Sequence, residues 1–217
     1  MRAAPSFLDL VGPRLALPRS SREIVKVERI LAAARLLLAL SSLLAIFFDP
    51  AEPARYASLT QVLLLLYCGH SAALLLMVSA RTEISNRTAF LVHAGDLLWP
   101  AAIGAFTNGS DSPFFFYFSF ALLAAAFRWG MRATLATTLA AIVIVVMEAN
   151  LLAGPLTARI ESSFNLNGFL VRETYLAIFG VLVGYLAEAE KRRRAEALSV
   201  GQIAAKARVD AGQPHLA

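Results

Sequence analysis

Apolar residues come in long, unbroken blocks along this sequence, and the charged residues lie between the blocks. Six blocks can be delimited, at residues 30–48, 57–79, 88–106, 113–127, 133–153 and 168–187. Five of them have the length that a helix needs to cross a bilayer, about 20 residues at about 1.5 Å each. The fourth is shorter, so we expect it to be strained or to thin the bilayer locally. The pattern predicts an all-α polytopic membrane protein with six transmembrane helices.

The segments on either side of these blocks have a different character. Residues 1–26 are basic and contain three prolines, which predicts an irregular cytosolic arm before a transmembrane domain at 27–187. Leu186–Val200 contains no proline or glycine, so we expect the last span to continue into a cytosolic signalling helix and tail at 188–217. A loose heptad would suit the seam of a parallel homodimer, at Ala195, Leu198, Gln202, Ala205 and Val209. The alternative is a solvated tail that Lys191–Arg194 hold at the lipid headgroups.

Composition and charge agree with this reading and set the orientation. Hydrophobic residues make up 58% of 217 positions and charged residues 16%, too few charges for an ordinary soluble surface. With the N-terminus inside, sixteen Lys and Arg residues fall on the cytosolic side and three outside. The positive-inside rule then predicts both termini in the cytosol. The net charge of +5 indicates contact with anionic lipid, and no nucleic-acid-binding motif accompanies it.

Four residues inside the apolar blocks are candidates for a sensing or switching site. His93 and Asp96 are three residues apart in the third block and so share a helix face. Pro100 should kink that helix, because its ring clashes with the carbonyl of Asp96, four residues earlier. His70 in the second block lies at a similar depth and could pair with Asp96. The alternative is that Asp96 is a structural, protonated hydrogen-bonding group.

Two further charged residues lie nearer the ends of their blocks. We expect Arg35 and Glu148 to extend their side chains to the membrane surface. Cys68 is the one cysteine, so the sequence predicts no intrachain disulfide and no metal site built from thiolates.

The aromatic run "PFFFYFSF" at Pro113–Phe120 lies at the outer interface in this topology. Aromatic residues favour that depth, so the run can be an interfacial belt combined with helix packing. The alternative is a docking surface for a flat, lipid-soluble ligand.

Three features together resemble the membrane input region of bacterial sensor histidine kinases. They are an acid in the third span followed by "SPFFFYF", six spans with short loops, and the linker-like "GYLAEAEKRRRAEAL" after the last span. Redox-responsive members have a GGxxNPF turn implicated in quinone response. Gly109, Pro113 and Phe114 match that turn, while Asn108 and Ser112 replace its first glycine and its asparagine. The resemblance implies that these five residues contact a ligand, for which a quinone is a possible cofactor.

The output motifs of such kinases do not occur in this sequence. It has no phospho-accepting histidine box, asparagine box, ATP-binding D-x-G-x-G or cyclase motif. We therefore expect no enzymatic activity from this chain. We expect it to be the signal-input module of a two-component phosphorelay, either a truncated or fragmentary kinase or a stand-alone relic. It would act on a cytosolic kinase or other output domain. The alternatives are a small-molecule transporter, or its substrate-binding subunit, and an integral-membrane enzyme.

Overall fold

The computed structural model describes residues 21–48, 57–107, 113–152 and 166–212. This part of the chain is helical and contains no strand. In chain order the helices are α1 (Ser21–Phe48), α2 (Ala57–Ala80), α3 (Asn86–Phe106), α4 (Phe116–Arg128), α5 (Met131–Leu152) and α6 (Leu166–Gly212), and a 3-10 turn at Pro113–Phe115 leads into α4.

Five of these helices, α1, α2, α3, α5 and α6, are long and apolar enough to cross a membrane. The predicted fourth span is the shorter apolar helix α4, which has 13 residues. The bundle surface is itself apolar, which suits lipid and would be unusual for a soluble monomer. Side chains more than half exposed on that surface include Leu37, Phe47, Leu65, Leu76, Leu91, Leu98, Leu139 and Leu182. The all-helical class is confirmed, with five candidate spans rather than six.

The ends of two helices bear on the predicted segments. α1 begins at Ser21, so residues 21–26, predicted as part of an irregular arm, are helical. No proline follows Pro18 in this region, and Glu23 places a negative charge in the first turn, where the helix dipole favours it. α6 is a single helix of 47 residues, about 70 Å long at about 1.5 Å per residue. The predicted continuation of the last span is confirmed.

The short helix α4 lies inside the bundle and packs against α1, α3, α5 and α6. Seven of its 13 residues are buried, so α4 is largely enclosed by protein and does not have to match the bilayer by itself. One face of the aromatic run packs towards α1, α2 and α3 through Phe114 and Tyr117, and the other packs towards α5 and α6 through Phe115 and Phe118.

α5 and α6 approach closely at two glycines of α6. A Cβ atom on Gly180 would lie 2.9 Å from Thr138 Cγ2, and one on Gly184 would lie 3.5 Å from Thr134 Cβ. Small residues four positions apart let the backbones of membrane helices approach each other.

Three contacts bring the start of α1, the ends of α2 and α4, and the exit of α6 to one end of the bundle. An Arg29 Nη donates to Ser79 O at 3.1 Å, joining α1 to α2. Arg128 pairs with Glu28, joining α4 to α1. Lys191 Nζ donates to Trp129 O at 2.8 Å, joining α6 to the turn after α4. We call this end of the bundle the network end.

Candidate functional site

Asp96 lies at the centre of a buried cluster of charged side chains near the network end. Arg35 Nε and one Nη of its guanidinium donate to the two carboxylate oxygens, at 2.6 and 2.8 Å. This bidentate pair joins α1 to α3, and its side chains are 2% and 1% exposed. Such fork-to-carboxylate geometry is the strongest form of ion pair between side chains.

Arg128, the last residue of α4, bridges α1 and α3 within the same cluster. It donates to the two oxygens of Glu28 at 2.7 and 2.9 Å, and to Asp96 Oδ2 at 3.2 Å. Glu28 and Arg35 are seven residues apart, close to two helical turns, so both face the bundle from α1. The planar guanidinium with its several donors allows one arginine to hold two carboxylates on different helices.

His93 extends the cluster to α5. Its Nε2 lies 2.9 Å from Thr137 Oγ1, whose own proton is directed at Ala133 O at 2.8 Å. With the Thr137 proton assigned to Ala133 O, the imidazole donates to the threonine, which assigns a proton to Nε2. Its Nδ1 lone pair then faces an Nη of Arg128 at 3.5 Å. His93 is thus an uncharged acceptor beside the bridging arginine.

We call Glu28, Arg35, His93, Asp96 and Arg128 the buried network. Its two guanidiniums and two carboxylates balance in charge. Ionised side chains inside an apolar bundle are costly unless they are paired, and such groups usually mark a functional site. Arg128 contacts both carboxylates, so its bond to Asp96 can break while Asp96 keeps Arg35 and Arg128 keeps Glu28. This shared arginine gives the network an ion pair that can rearrange when α1, α3 and α4 shift.

The predicted site residues are brought together only in part. His93 and Asp96 are both buried and share the network, as their spacing predicted. Pro100 is buried within α3, which is a continuous helix from Asn86 to Phe106. His70 is exposed, and its ring packs on Trp99 with a centroid distance of 5.8 Å. No His70–Asp96 hydrogen bond occurs among the described residues, and both Asp96 oxygens instead accept from arginines.

The predicted ligand turn lies mostly outside the described residues. Asn108, Gly109 and Ser112 belong to the part of the chain for which no structure is described. Pro113 opens the 3-10 turn before α4. Phe114 is buried, with its ring 5.7 Å from that of Tyr117. Of the residues Phe114–Phe118, only Phe116 is exposed. The described part of the aromatic run therefore packs mainly against other helices of the bundle.

The sequence reading missed or misplaced three members of the network. Arg35 was expected to extend to the membrane surface, but it is 2% exposed, because Asp96 on the facing helix satisfies it inside the bundle. Glu28 and Arg128 lie just outside the first and fourth apolar blocks, so hydropathy alone does not mark them as buried. The available signal was one arginine within the first apolar block and one acid within another, since two opposite charges in apolar helices favour each other as partners.

A second pair of acids lies at the opposite end of the bundle. A Cβ atom on Gly104 would lie 3.0 Å from Glu148 Oε2, so the glycine makes room for this carboxyl against α3. Glu148 Oε1 and both carboxyl oxygens of Glu173 are buried without a hydrogen-bond partner. Glu148 thus points partly into the bundle, which corrects the expectation that it reaches the surface. Within the described ranges no group of three or more His, Cys, Asp or Glu side chains could hold a metal ion.

No protein-family model, curated protein or solved structure matches the chain. The described part of the chain is helical, and its five helices that could cross a bilayer suggest a membrane protein. A charge-balanced buried network joins the shorter helix α4 to α1 and α3.

Proposed function

We propose that the chain is a membrane-embedded signal-input module of the sensor histidine kinase type. In this proposal the buried network holds the bundle in one of two packed states, and α6 conveys that state to a cytosolic output domain in cis or in trans. The observation that carries the proposal is the combination of the network with α6, which packs on α4 and α5 and continues as one helix well beyond them. The chain itself would have no catalytic role.

The contacts around Tyr117 support a route from the aromatic run to the network. The Tyr117 hydroxyl contacts Ser42 Oγ and lies 3.3 Å from Leu38 O, which links the start of α4 to α1. Leu38 is one turn from Arg35. A ligand that acts on the 107–120 segment, such as a quinone or another small apolar molecule, would displace α4 and α1 together. The ion pairs at the other end of α4 would then rearrange.

The exit of α6 supports its role as the output element. Between Arg192 and Gly201 the side chains are exposed apart from Ala195, which is partly buried, so this stretch is available for another chain or domain. Pairing of two such helices in a homodimer would place two output domains side by side. Transmission of this kind needs an element with two packed states that differ by a few kcal/mol.

We expect both termini in the cytosol of a bacterial inner membrane, with α4 completing a sixth pass. The network end carries the arginines that the positive-inside rule places in the cytosol. Reporter fusions at Ser112, Ala153 and Ala217 would test the topology, because alkaline phosphatase is active outside and green fluorescent protein inside. We expect an outside signal at Ser112 and Ala153 and an inside signal at Ala217. An outside signal at Ala217 would overturn the topology.

Fusion of a histidine-kinase output region after Val209 would test the function. We expect both Asp96→Asn and Pro100→Ala to change kinase output per molecule, because one alters the network and the other the helix that carries Asp96. Inserting one to four alanines after Glu196 should change output with a period of about 3.6 residues, since each residue rotates the helix by about 100°.

Membrane abundance must be measured for every fusion, so that output is expressed per molecule. The matched control is Gly69→Ala, a substitution in α2 at a position where nothing lies within 4 Å of the added Cβ. The proposed function is wrong if kinase output per molecule is the same in all variants and does not change with the number of inserted alanines.

A small-molecule transporter, or its substrate-binding subunit, is the second candidate. The buried charge-balanced network favours it too, because paired ionisable groups inside membrane proteins also line substrate and proton pathways. A transporter has no need of the helix beyond Lys191. Deletion of residues 192–217 would therefore leave a transport activity intact, whereas it would remove the output of an input module.

A further inference from the structure

A lysine of α6 closes the turn that follows α4. Lys191 Nζ donates at 2.8 Å to the carbonyl oxygen of Trp129, the C-cap residue of α4. The last carbonyls of a helix lack intrahelical partners and carry partial negative charge, so an ammonium group is well matched to this position.

Gly130 makes this contact possible in two ways. Its φ of 88° lies in the left-handed region that favours glycine, and its N–H donates to Ala125 O at 3.2 Å, which ends α4. A Cβ atom at this position would also lie 2.9 Å from Lys191 Cε. The turn therefore needs a glycine for its backbone conformation, and any larger side chain there would also displace the end of the Lys191 side chain.

The same turn contacts the buried network through the indole of Trp129. The ring meets His93 edge-on, with a centroid distance of 5.1 Å. The Arg128 guanidinium lies 5.8 Å from the indole centroid. Trp129 thus contacts the network with its side chain and α6 with its carbonyl, so one residue connects Arg128 and His93 to Lys191.

We propose that Trp129, Gly130 and Lys191 form a clasp that couples the state of the buried network to the position of α6. The proposal rests on the proposed function, because it assigns the step between the network and the output helix. When Arg128 changes partners, the turn moves, and the hydrogen bond to Lys191 transfers that movement to α6 at the point where the helix leaves the bundle. Lys191 is a positioning residue in this device.

A thermodynamic cycle on the fused kinase tests the clasp. We expect Asp96→Asn to change output by about fivefold or more in the native background and by less than about twofold in Lys191→Met, since couplings between sites are commonly of that size. Methionine keeps the stem of the side chain and removes the donor. Lys191→Arg keeps a donor and should preserve the coupling. Arg192→Met is the matched control, because Arg192 is 76% exposed and only its long 3.8 Å pair with Glu188 is lost.

A distance measurement on the full chain gives a readout that needs no kinase. With Cys68→Ser as background, spin labels at Thr82→Cys and Gly201→Cys report the position of α6 relative to the network end in nanodiscs. We expect Asp96→Asn to shift the distance distribution when Lys191 is present and in the Lys191→Arg variant, but not in the Lys191→Met variant. An equal shift in the Lys191→Met variant would overturn the clasp and leave the proposed function standing. If the distance shift depends on Lys191 but kinase output per molecule is the same in all fusion variants, the clasp is supported and the proposed function is wrong.

Discussion

Asp96→Asn should lower the free energy of unfolding by about 3–5 kcal/mol, the usual cost of removing one partner from a buried ion pair. The substitution keeps the shape of the side chain and leaves the network with one excess positive charge. Arg128 retains Glu28, but Arg35 has no other carboxylate within the described part of the chain and is left against the Phe120 ring, 5.5 Å from its centroid.

The double variant Arg35→Met with Asp96→Asn should be less destabilised than the sum of the two single variants. The double variant removes the unpaired positive charge of Arg35 together with the ion pair. The interaction energy between two residues in direct contact is commonly about 0.5–3 kcal/mol. Unfolding by sodium dodecyl sulfate in mixed micelles can be followed by tryptophan fluorescence. Trp129 is a suitable probe, because its ring packs on His93.

Arg192→Gln, in an exposed pair on α6, is the control for loss of a guanidinium and should change stability by no more than about 0.5 kcal/mol. Strict additivity of Arg35→Met and Asp96→Asn would contradict the buried pair. The buried pair would also be contradicted if Asp96→Asn lowered the free energy of unfolding by no more than Arg192→Gln does.

Gly180→Ala should destabilise the bundle by about 1–3 kcal/mol, the usual cost of overpacking. The added Cβ would lie 2.9 Å from Thr138 Cγ2 and 3.0 Å from Thr138 Cβ. Thr138 is 6% exposed and its hydroxyl donates to Thr134 O at 2.8 Å, so it has little freedom to move away. The helices α5 and α6 must therefore separate, although alanine has the higher intrinsic helix propensity.

Gly69→Ala is again the matched control, because it makes the same chemical change in a helix with no atom within 4 Å of the new Cβ. Only helix propensity then changes, and we expect the free energy of unfolding to rise by up to about 1 kcal/mol. Thr138→Ala should restore part of the stability lost in Gly180→Ala, since it removes the hydroxyl and methyl groups but leaves the Cβ contact. If Gly180→Ala and Gly69→Ala have equal effects in the same unfolding assay, the close approach of α5 and α6 is wrong.

Sequence by itself determined the helical architecture. Each apolar block became a helix, because an apolar backbone must satisfy its own hydrogen bonds and does so locally. The bounds of α2 to α5 lie within a few residues of those predicted, whereas α1 begins well before its block, at Ser21. The continuation of the last span as α6 was likewise readable from Leu186–Val200, where no helix breaker occurs. The shared face of His93 and Asp96 followed from helical periodicity alone.

Only the tertiary structure decided which buried charges meet. A periodic pattern shows which face of a helix a residue occupies, but not which helix lies opposite or at what rotation. Arg35 is 61 residues from Asp96 in sequence, and Glu28 is 100 residues from Arg128. Hydropathy also could not show that α4 lies inside the bundle, because apolar residues suit protein neighbours and lipid equally well. Packing of whole helices settles these choices, and it placed the arginines on Asp96 and left His70 beside Trp99.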